Sequence, residues 1–250
     1  LCLFLNWILY LSLVTGGAEF FNFQWDFLLL ETSFAALFLA PASLRPSLRT
    51  VPLPPLLRFL FLWILFRVVF FSGAVKLLSG DPAWGSLTAL RYFFQCQPLP
   101  NPLSWWVQQA PEVLLKTACF LALLVELAVP LLMLLYRKLR LAAFVALVLY
   151  QMAIMLSGNT NFFNLTVILL ALFLLDDEIW SWLSTSFHRF PLAKKSGTRA
   201  PTPLTRIRWA ILPYALFIGI VTGLFLASDL GFQGPWPGVL LGPYRLNVPL

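Results

Sequence analysis

The sequence predicts an all-α fold: a polytopic transmembrane helical bundle of about seven spans with a long structured lumenal loop. Three observations carry that expectation. Of the 250 residues, 60% are hydrophobic and only 11% are charged, with a mean hydropathy of +0.84, which is membrane composition rather than that of a soluble domain. The apolar residues fall in long Leu-rich runs without the alternation of a membrane strand. The basic residues concentrate in alternate connections, as the positive-inside rule requires of a chain that crosses repeatedly.

The elements follow in order. The run 1–14 starts at the first residue, with neither an initiator Met nor a basic segment ahead of it. It therefore reads as a truncated first helix rather than a signal peptide. A second run, 20–40, stops at the Pro-rich linker Pro41 to Pro55, and a third covers 56–78. The connection 79–112 is polar, rich in Trp, Tyr and Pro, and 34 residues long; loops of that length in compact domains are usually functional. Runs 113–136 and 139–156 flank the tight basic turn Tyr136-Arg-Lys-Leu-Arg140, and run 161–175 follows the short turn 157–160. After the basic loop 176–208 comes a last run, 209–228. Residues 1–228 are thus expected to form the transmembrane domain, and the Gly/Pro-rich 229–250 to begin a truncated lumenal C-terminal region.

Charge sets the predicted sidedness. Net charge is +7 and the sequence pI is near 9.7. In a soluble protein that would suggest nucleic acid. Here loops 41–55, 137–140 and 176–208 hold eleven of the 17 Lys and Arg, whereas the opposite-side segments hold only Arg91 and Arg245. The basic loops are then cytosolic, facing anionic lipid. Loop 79–112, turn 157–160 and the tail are lumenal, and no nucleic-acid partner is expected. Oligomeric state is not encoded in any of these patterns.

Several chemistries lack their residues. The single histidine, His188, lies in the basic cytosolic loop, so no Ser-His-Asp or Cys-His arrangement can form on the lumenal side. No His/Cys metal set, P-loop or dinucleotide fingerprint is present, and no cofactor or metal is implied. The three cysteines make no CxxC and no even lumenal set; Cys96 is a lone lumenal thiol. The sequon Asn164-Leu-Thr166 opens an apolar run, too close to the bilayer to be glycosylated.

Three ionisable residues fall near span centres, where charge is costly and marks function or a structural pair: Glu31, Arg67 and Glu126. Counted from the cytosolic ends they lie nine, eleven and ten residues deep, which is within about 3 Å along the normal. The expectation is a midplane Glu31–Arg67–Glu126 cluster tying three helices together, with a proton or ion path as the competing reading. Arg58, Lys76 and Lys116 lie nearer span ends and are expected to snorkel outward.

In the lumenal loop, Asp81 followed by Pro82 reads first as a turn and second as a client contact. Trp84, Trp105 and Trp106 suit an interfacial aromatic belt, with a client-facing patch as the alternative. Pro98, Pro100 and Pro102 hold an extended segment that presents Leu99 and Leu103. Asn159, Asn161 and Asn164 gather at the lumenal turn, where helix capping is the default role and ligand contact the second.

The order of motifs then carries a resemblance. Ser72-Gly-Ala-Val-Lys-Leu-Leu-Ser-Gly-Asp-Pro-Ala-Trp-Gly-Ser-Leu-Thr-Ala-Leu-Arg-Tyr92 and Gln97-Pro-Leu-Pro-Asn-Pro-Leu-Ser-Trp-Trp106 resemble the lipase maturation factor family. So do Phe23-Gln-Trp-Asp-Phe-Leu-Leu-Leu-Glu-Thr32, Val125-Glu-Leu-Ala-Val-Pro130, Ser157-Gly-Asn-Thr-Asn-Phe-Phe-Asn-Leu-Thr166 and Leu174-Leu-Asp-Asp177. The likeness covers about 16–177, and 178–250 match only loosely. It implies a multi-pass protein of the endoplasmic reticulum membrane, or of the bacterial inner membrane for a prokaryotic source. Such a protein helps secreted dimeric lipases of the lipoprotein lipase type to mature, by binding its client without chemistry. The client-binding residues implied are Asp81, Trp84, Thr88, Tyr92, Gln97, Pro98, Trp105 and Trp106. One departure stands out: Tyr92-Phe-Phe-Gln-Cys-Gln97 replaces the family's Tyr-His-Tyr/Phe-Glu-Thr-Gln, so its His and Glu are lost. A weaker likeness to the membrane domain of vitamin K-dependent carboxylases keeps a second class open, a polytopic enzyme or transporter working through Glu31, Arg67 and Glu126.

Overall fold

The computed structural model describes residues 2–21, 23–40, 53–97, 100–160, 162–180, 211–220 and 222. These are helical with no strand among them. Three helices are long and apolar enough to cross a membrane: α3 (Pro55–Leu78), α7 (Glu112–Leu132) and α8 (Arg137–Ser157). Shorter helices are α1 (Cys2–Gly17), α2 (Gln24–Leu37) and α9 (Phe163–Ala171), the last prolonged by the 3₁₀ turn Leu172–Leu174. A further short apolar helix covers Ile211–Ile220. Each predicted run therefore holds a helix, and three meet the length and hydropathy of a span. The expected tail 229–250, and residues 181–208 of the basic loop, lie outside the described residues.

The chain divides into two compact units, residues 1–60 with 191–250 and residues 61–190. In the first, α1 and α2 run antiparallel, since Trp7 meets Leu30 while Tyr10 meets Asp26. The Trp7 indole donates to the Leu30 carbonyl at 3.0 Å, and the Tyr10 hydroxyl donates to Asp26 Oδ1 at 2.5 Å. Asp26 is buried in the first turn of α2, where the helix dipole favours a carboxylate. Phe34 packs on Trp7 at 5.0 Å and on Tyr214 at 4.9 Å between ring centres, and the Tyr214 hydroxyl donates to the Glu31 carbonyl at 3.1 Å.

In the second unit, α7 and α8 form an antiparallel hairpin, and α9 returns along α8. Pro130 is buried inside α7. It has no N–H to give the Glu126 carbonyl four residues back, and α7 ends two residues later. The buried stripe of α8 is Ala143, Leu147 and Gln151, the i, i+4 spacing of one helix face. Arg137 and Arg140 stand at the start of α8, where the helix dipole opposes cations. Acidic partners compensate. Arg137 Nε donates to Asp176 Oδ2 at 2.5 Å, its Nη2 reaches Glu178 Oε2 at 2.6 Å, and Arg140 Nε donates to the Leu174 carbonyl at 3.0 Å. These contacts pin the end of α9 to the start of α8. They give the Leu174-Leu-Asp-Asp177 motif a structural task.

Candidate functional site

The 79–111 connection is folded into three short helices: α4 (Pro82–Gly85), α5 (Ala89–Gln95) and α6 (Pro102–Gln108). The chain leaves α3 through Gly80, whose φ of +73° lies in the left-handed region that favours glycine. Asp81 then caps α4, its Oδ1 accepting from the Ala83 N–H at 2.8 Å, with Pro82 filling the first helical position. The turn role expected of Asp81 is what the backbone uses it for. The chain folds back through the Thr88 N–H, which donates to the Ala83 carbonyl at 2.8 Å, and the Ser86 and Thr88 hydroxyls lie 2.8 Å apart.

A second Asn-Pro pair does the same for α6. Asn101 Oδ1 accepts from the Ser104 N–H at 2.8 Å, while its amide nitrogen donates to the carbonyls of Leu156 at 2.9 Å and Gly158 at 3.3 Å. One side chain thus starts α6 and ties it to the last carbonyls of α8. Gln97 Nε2 reaches the Ser157 carbonyl more weakly, at 3.5 Å. Asn101 was not singled out by sequence reasoning, although Asn before Pro before an apolar helix is an N-cap signal.

Asp81, Trp84, Thr88 and Tyr92 come together around a cavity of about 540 Å³ that also exposes Cys96. Tyr92 remains 57% exposed there. Trp105 and Trp106 lie on α6, outside this lining, as an exposed edge-to-face pair 5.0 Å apart. Where the family pattern is lost, Phe94 turns inward while Phe93 stays exposed. Pro98 and Asn161 lie outside the described residues. Asn159 is exposed in the turn after α8. Asn164 corrects the capping expectation. Phe162 is the N-cap residue of α9, and Asn164 is the second residue of the helix, buried, with both amide atoms lacking a hydrogen-bond partner among the described residues.

The expected link between Glu126 and Arg67 is also corrected. Glu126 does not bond to Arg67; its carboxylate takes Lys76, Tyr150 and Ser72. Lys76 Nζ donates to both oxygens, to Oε2 at 2.6 Å, and the Tyr150 hydroxyl donates to Oε1 at 2.7 Å. The Ser72 hydroxyl lies at 3.5 Å. Lys76 does not snorkel outward. Its side chain is 23% exposed and that of Glu126 only 6%. The reason is a close helix approach at Gly73, where an added Cβ would stand 2.8 Å from Glu126 Cβ. Glu126 is therefore level with Gly73, six residues and about 9 Å beyond Arg67 along α3. Arg67 is buried in α3. The signal for Lys76 was present in sequence: Ser72, Gly73 and Lys76 share one helix face. On its outer side, the Lys76 ammonium lies 5.0 Å from the centre of the Trp84 ring, within cation–π range.

Outside the spans, the hydrogen bond from Arg137 holds the Asp176 carboxyl below the usual carboxylate range. Among the described residues no group of three or more His, Cys, Asp or Glu could hold a metal ion.

A helical membrane domain with a folded connection between two of its longest helices is the class of protein these features define. Residues 1–182 match the family model described as the lipase maturation factor transmembrane domain, and the chain belongs to the lipase maturation factor family. It is 44% identical over 186 residues to lipase maturation factor 2 of Homo sapiens and 45% identical over 184 residues to that of Rattus norvegicus; each match covers 70% of this chain and 26% of the relative. Lipase maturation factor 1 of Mus musculus is 32% identical over 181 residues, which is 72% of this chain and 31% of that protein. The chain thus spans about a quarter of the length of the factor 2 relatives. No solved structure matches it.

Proposed function

We propose that this chain supplies the membrane domain of a folding factor of the endoplasmic reticulum that assists secreted dimeric lipases of the lipoprotein lipase type. It does so by binding the client rather than by chemistry. In a bacterial source the corresponding location is the inner membrane. The 79–111 connection faces the lumen in this reading, as the charge asymmetry of the loops requires. The observation that supports it most is the cavity of about 540 Å³ beside Asp81, Trp84, Thr88 and Tyr92. That concavity is apolar and aromatic with few polar groups, the usual character of a recognition site. Gln97, Pro98, Trp105 and Trp106 would extend the contact surface, with Asn159, Asn161 and Asn164 as further candidates. The competing reading, an enzyme or transporter built on midplane charge, has less to work with. The carboxylate of Glu126 is already balanced by Lys76 and hydrogen-bonded by Tyr150.

The test is secreted lipoprotein lipase activity, normalised to lipase protein, in cells lacking their own maturation factor and supplied with the full-length protein that carries this chain. Rescue is expected, and Trp84→Ala or Tyr92→Ala should reduce it at unchanged expression. A well-expressed protein that rescues nothing would sink the client assignment.

A further inference from the structure

Four groups from three helices and the connection meet at Lys76. Its ammonium is bonded to Glu126 of α7, and that carboxylate in turn accepts from Tyr150 of α8. The same ammonium lies over the Trp84 ring, 5.0 Å from its centre. Trp84 belongs to α4, whose four residues are too few to be stable as an isolated helix. Of the side chains that line the cavity, Trp84 is the one placed on a charge that is itself anchored in the helix bundle.

We infer that Lys76 is a positioning residue for the 79–111 connection: gripped by Glu126, which Tyr150 in turn orients, it holds Trp84, and with it α4 and the cavity wall, against α3 and α7. The inference deepens the client-binding reading, and rests on it only for what the positioned surface is used for. The physical logic runs in one direction. A lysine with a flexible stem is a poor fixed point by itself. Two bonds to a buried carboxylate, itself oriented by the Tyr150 hydroxyl, remove that freedom. The fixed cation then offers the Trp84 ring a preferred place. Gly73 is required because any side chain there would push α7, and so Glu126, away from α3.

The readout is tryptic cleavage after Arg91, in the full-length protein in lipid nanodiscs, followed by mass spectrometry of the fragments. Arg91 is exposed in α5 and is the sole Lys or Arg between Lys76 and Lys116. Cutting within a short helix requires local opening, and the rate follows the open population when reclosing is fast. Losing one partly buried cation–π contact should raise that rate about fivefold. Lys76→Met and Glu126→Gln are each expected to speed cleavage at least that much, and the charge exchange Lys76→Glu with Glu126→Lys should leave Glu–Lys pairing but remove the cation from Trp84. Trp84→Phe, which keeps a ring, should stay near wild type, whereas Trp84→Leu, which keeps apolar bulk, should match Lys76→Met. A merely structural apolar role for Trp84 predicts the reverse order, with Leu no worse than Phe, and would overturn the inference. Should Lys76→Met lose its helical circular dichroism, the Trp84 pair, which leaves the ion pair intact, decides alone. The lipase assay separates the two readings. Unchanged cleavage in all variants refutes positioning and leaves client binding standing; faster cleavage with undiminished lipase activity supports positioning and removes the client role of the cavity.

Discussion

Asn101→Ala is the substitution whose cost can be worked most directly from the structure. Its three shortest side-chain bonds are lost at once: the cap of α6 at Ser104 N–H, 2.8 Å, and the donations to the carbonyls of Leu156 and Gly158 at 2.9 and 3.3 Å. Removing an Asn cap typically costs about 1 kcal/mol. Each amide-to-carbonyl bond adds a net ~0.5–1.5 kcal/mol. The Leu156 bond is exposed, so water can replace the lost donor there and the lower end of the range applies. The expected total is about 2 kcal/mol, or roughly a thirtyfold rise in local opening.

The assay is hydrogen exchange of the α6 backbone amides in the full-length protein in nanodiscs, with α7 amides as the internal standard. Exchange of Val107 and Gln108 should accelerate roughly thirtyfold while the middle of α7 is unmoved. Asn101→Asp partitions the effect. An aspartate keeps the cap but cannot donate to Leu156 or Gly158, and it sets a carboxylate against their carbonyls. It should therefore recover α6 start but not the tie to α8, and land between wild type and alanine or below. If Ala changes α6 exchange less than about threefold, the three bonds do not hold the connection down and the reasoning fails.

Other consequences are independent of that one. Gly73→Ala places a methyl 2.8 Å from Glu126 Cβ and 3.0 Å from Leu127 Cγ, and overpacking of this kind costs about 1–3 kcal/mol; a lowered thermal midpoint checks it. Tyr10→Phe takes from the buried Asp26 its one donor among the described residues and should destabilise by about 1–3 kcal/mol, with Asp26→Asn restoring part of the loss in the double variant. The Arg137 bond holds the folded-state pKa of Asp176 below the usual carboxylate range. Its contribution is therefore complete above the unfolded pKa and is lost as pH falls through the lower folded one; thermal melts below about pH 4 should drop less steeply in Arg137→Met than in wild type. Asn164→Leu removes two buried amide atoms that lack partners among the described residues, so the melt should be unchanged or higher, and a large drop would point to a bound group at that position.

Hydropathy located the helices because burial in lipid demands long apolar runs whatever the tertiary packing. Capping at Asp81 was legible for a similar reason: Asp before Pro is a local instruction, satisfied by the chain two residues on. Asn101 carried the same local instruction, but its second task, reaching the end of α8 some 55 residues away, has no local trace. The short helices α5 and α6 were likewise read only as a loop, since seven residues each leave little periodicity to detect.

The expected pairing of Arg67 with Glu126 failed for a more instructive reason. Depth was counted from predicted helix ends, as though all cytosolic ends were level. In the structure α7 stops at Leu132 rather than at Tyr136, shortly after Pro130. Gly73 then sets how closely, and at what height, α7 meets α3. A shift of six residues along α3 takes Glu126 out of the reach of Arg67 and gives it to Lys76. The motif Val125-Glu-Leu-Ala-Val-Pro130 can then be read as one device with Ser72-Gly-Ala-Val-Lys76. The proline leaves the Glu126 carbonyl without its helical donor, the glycine admits the helix, and the carboxylate arrives within bonding distance of the lysine. Hydropathy is blind to this because it averages over a helix face. What decides which charges meet is a single missing Cβ.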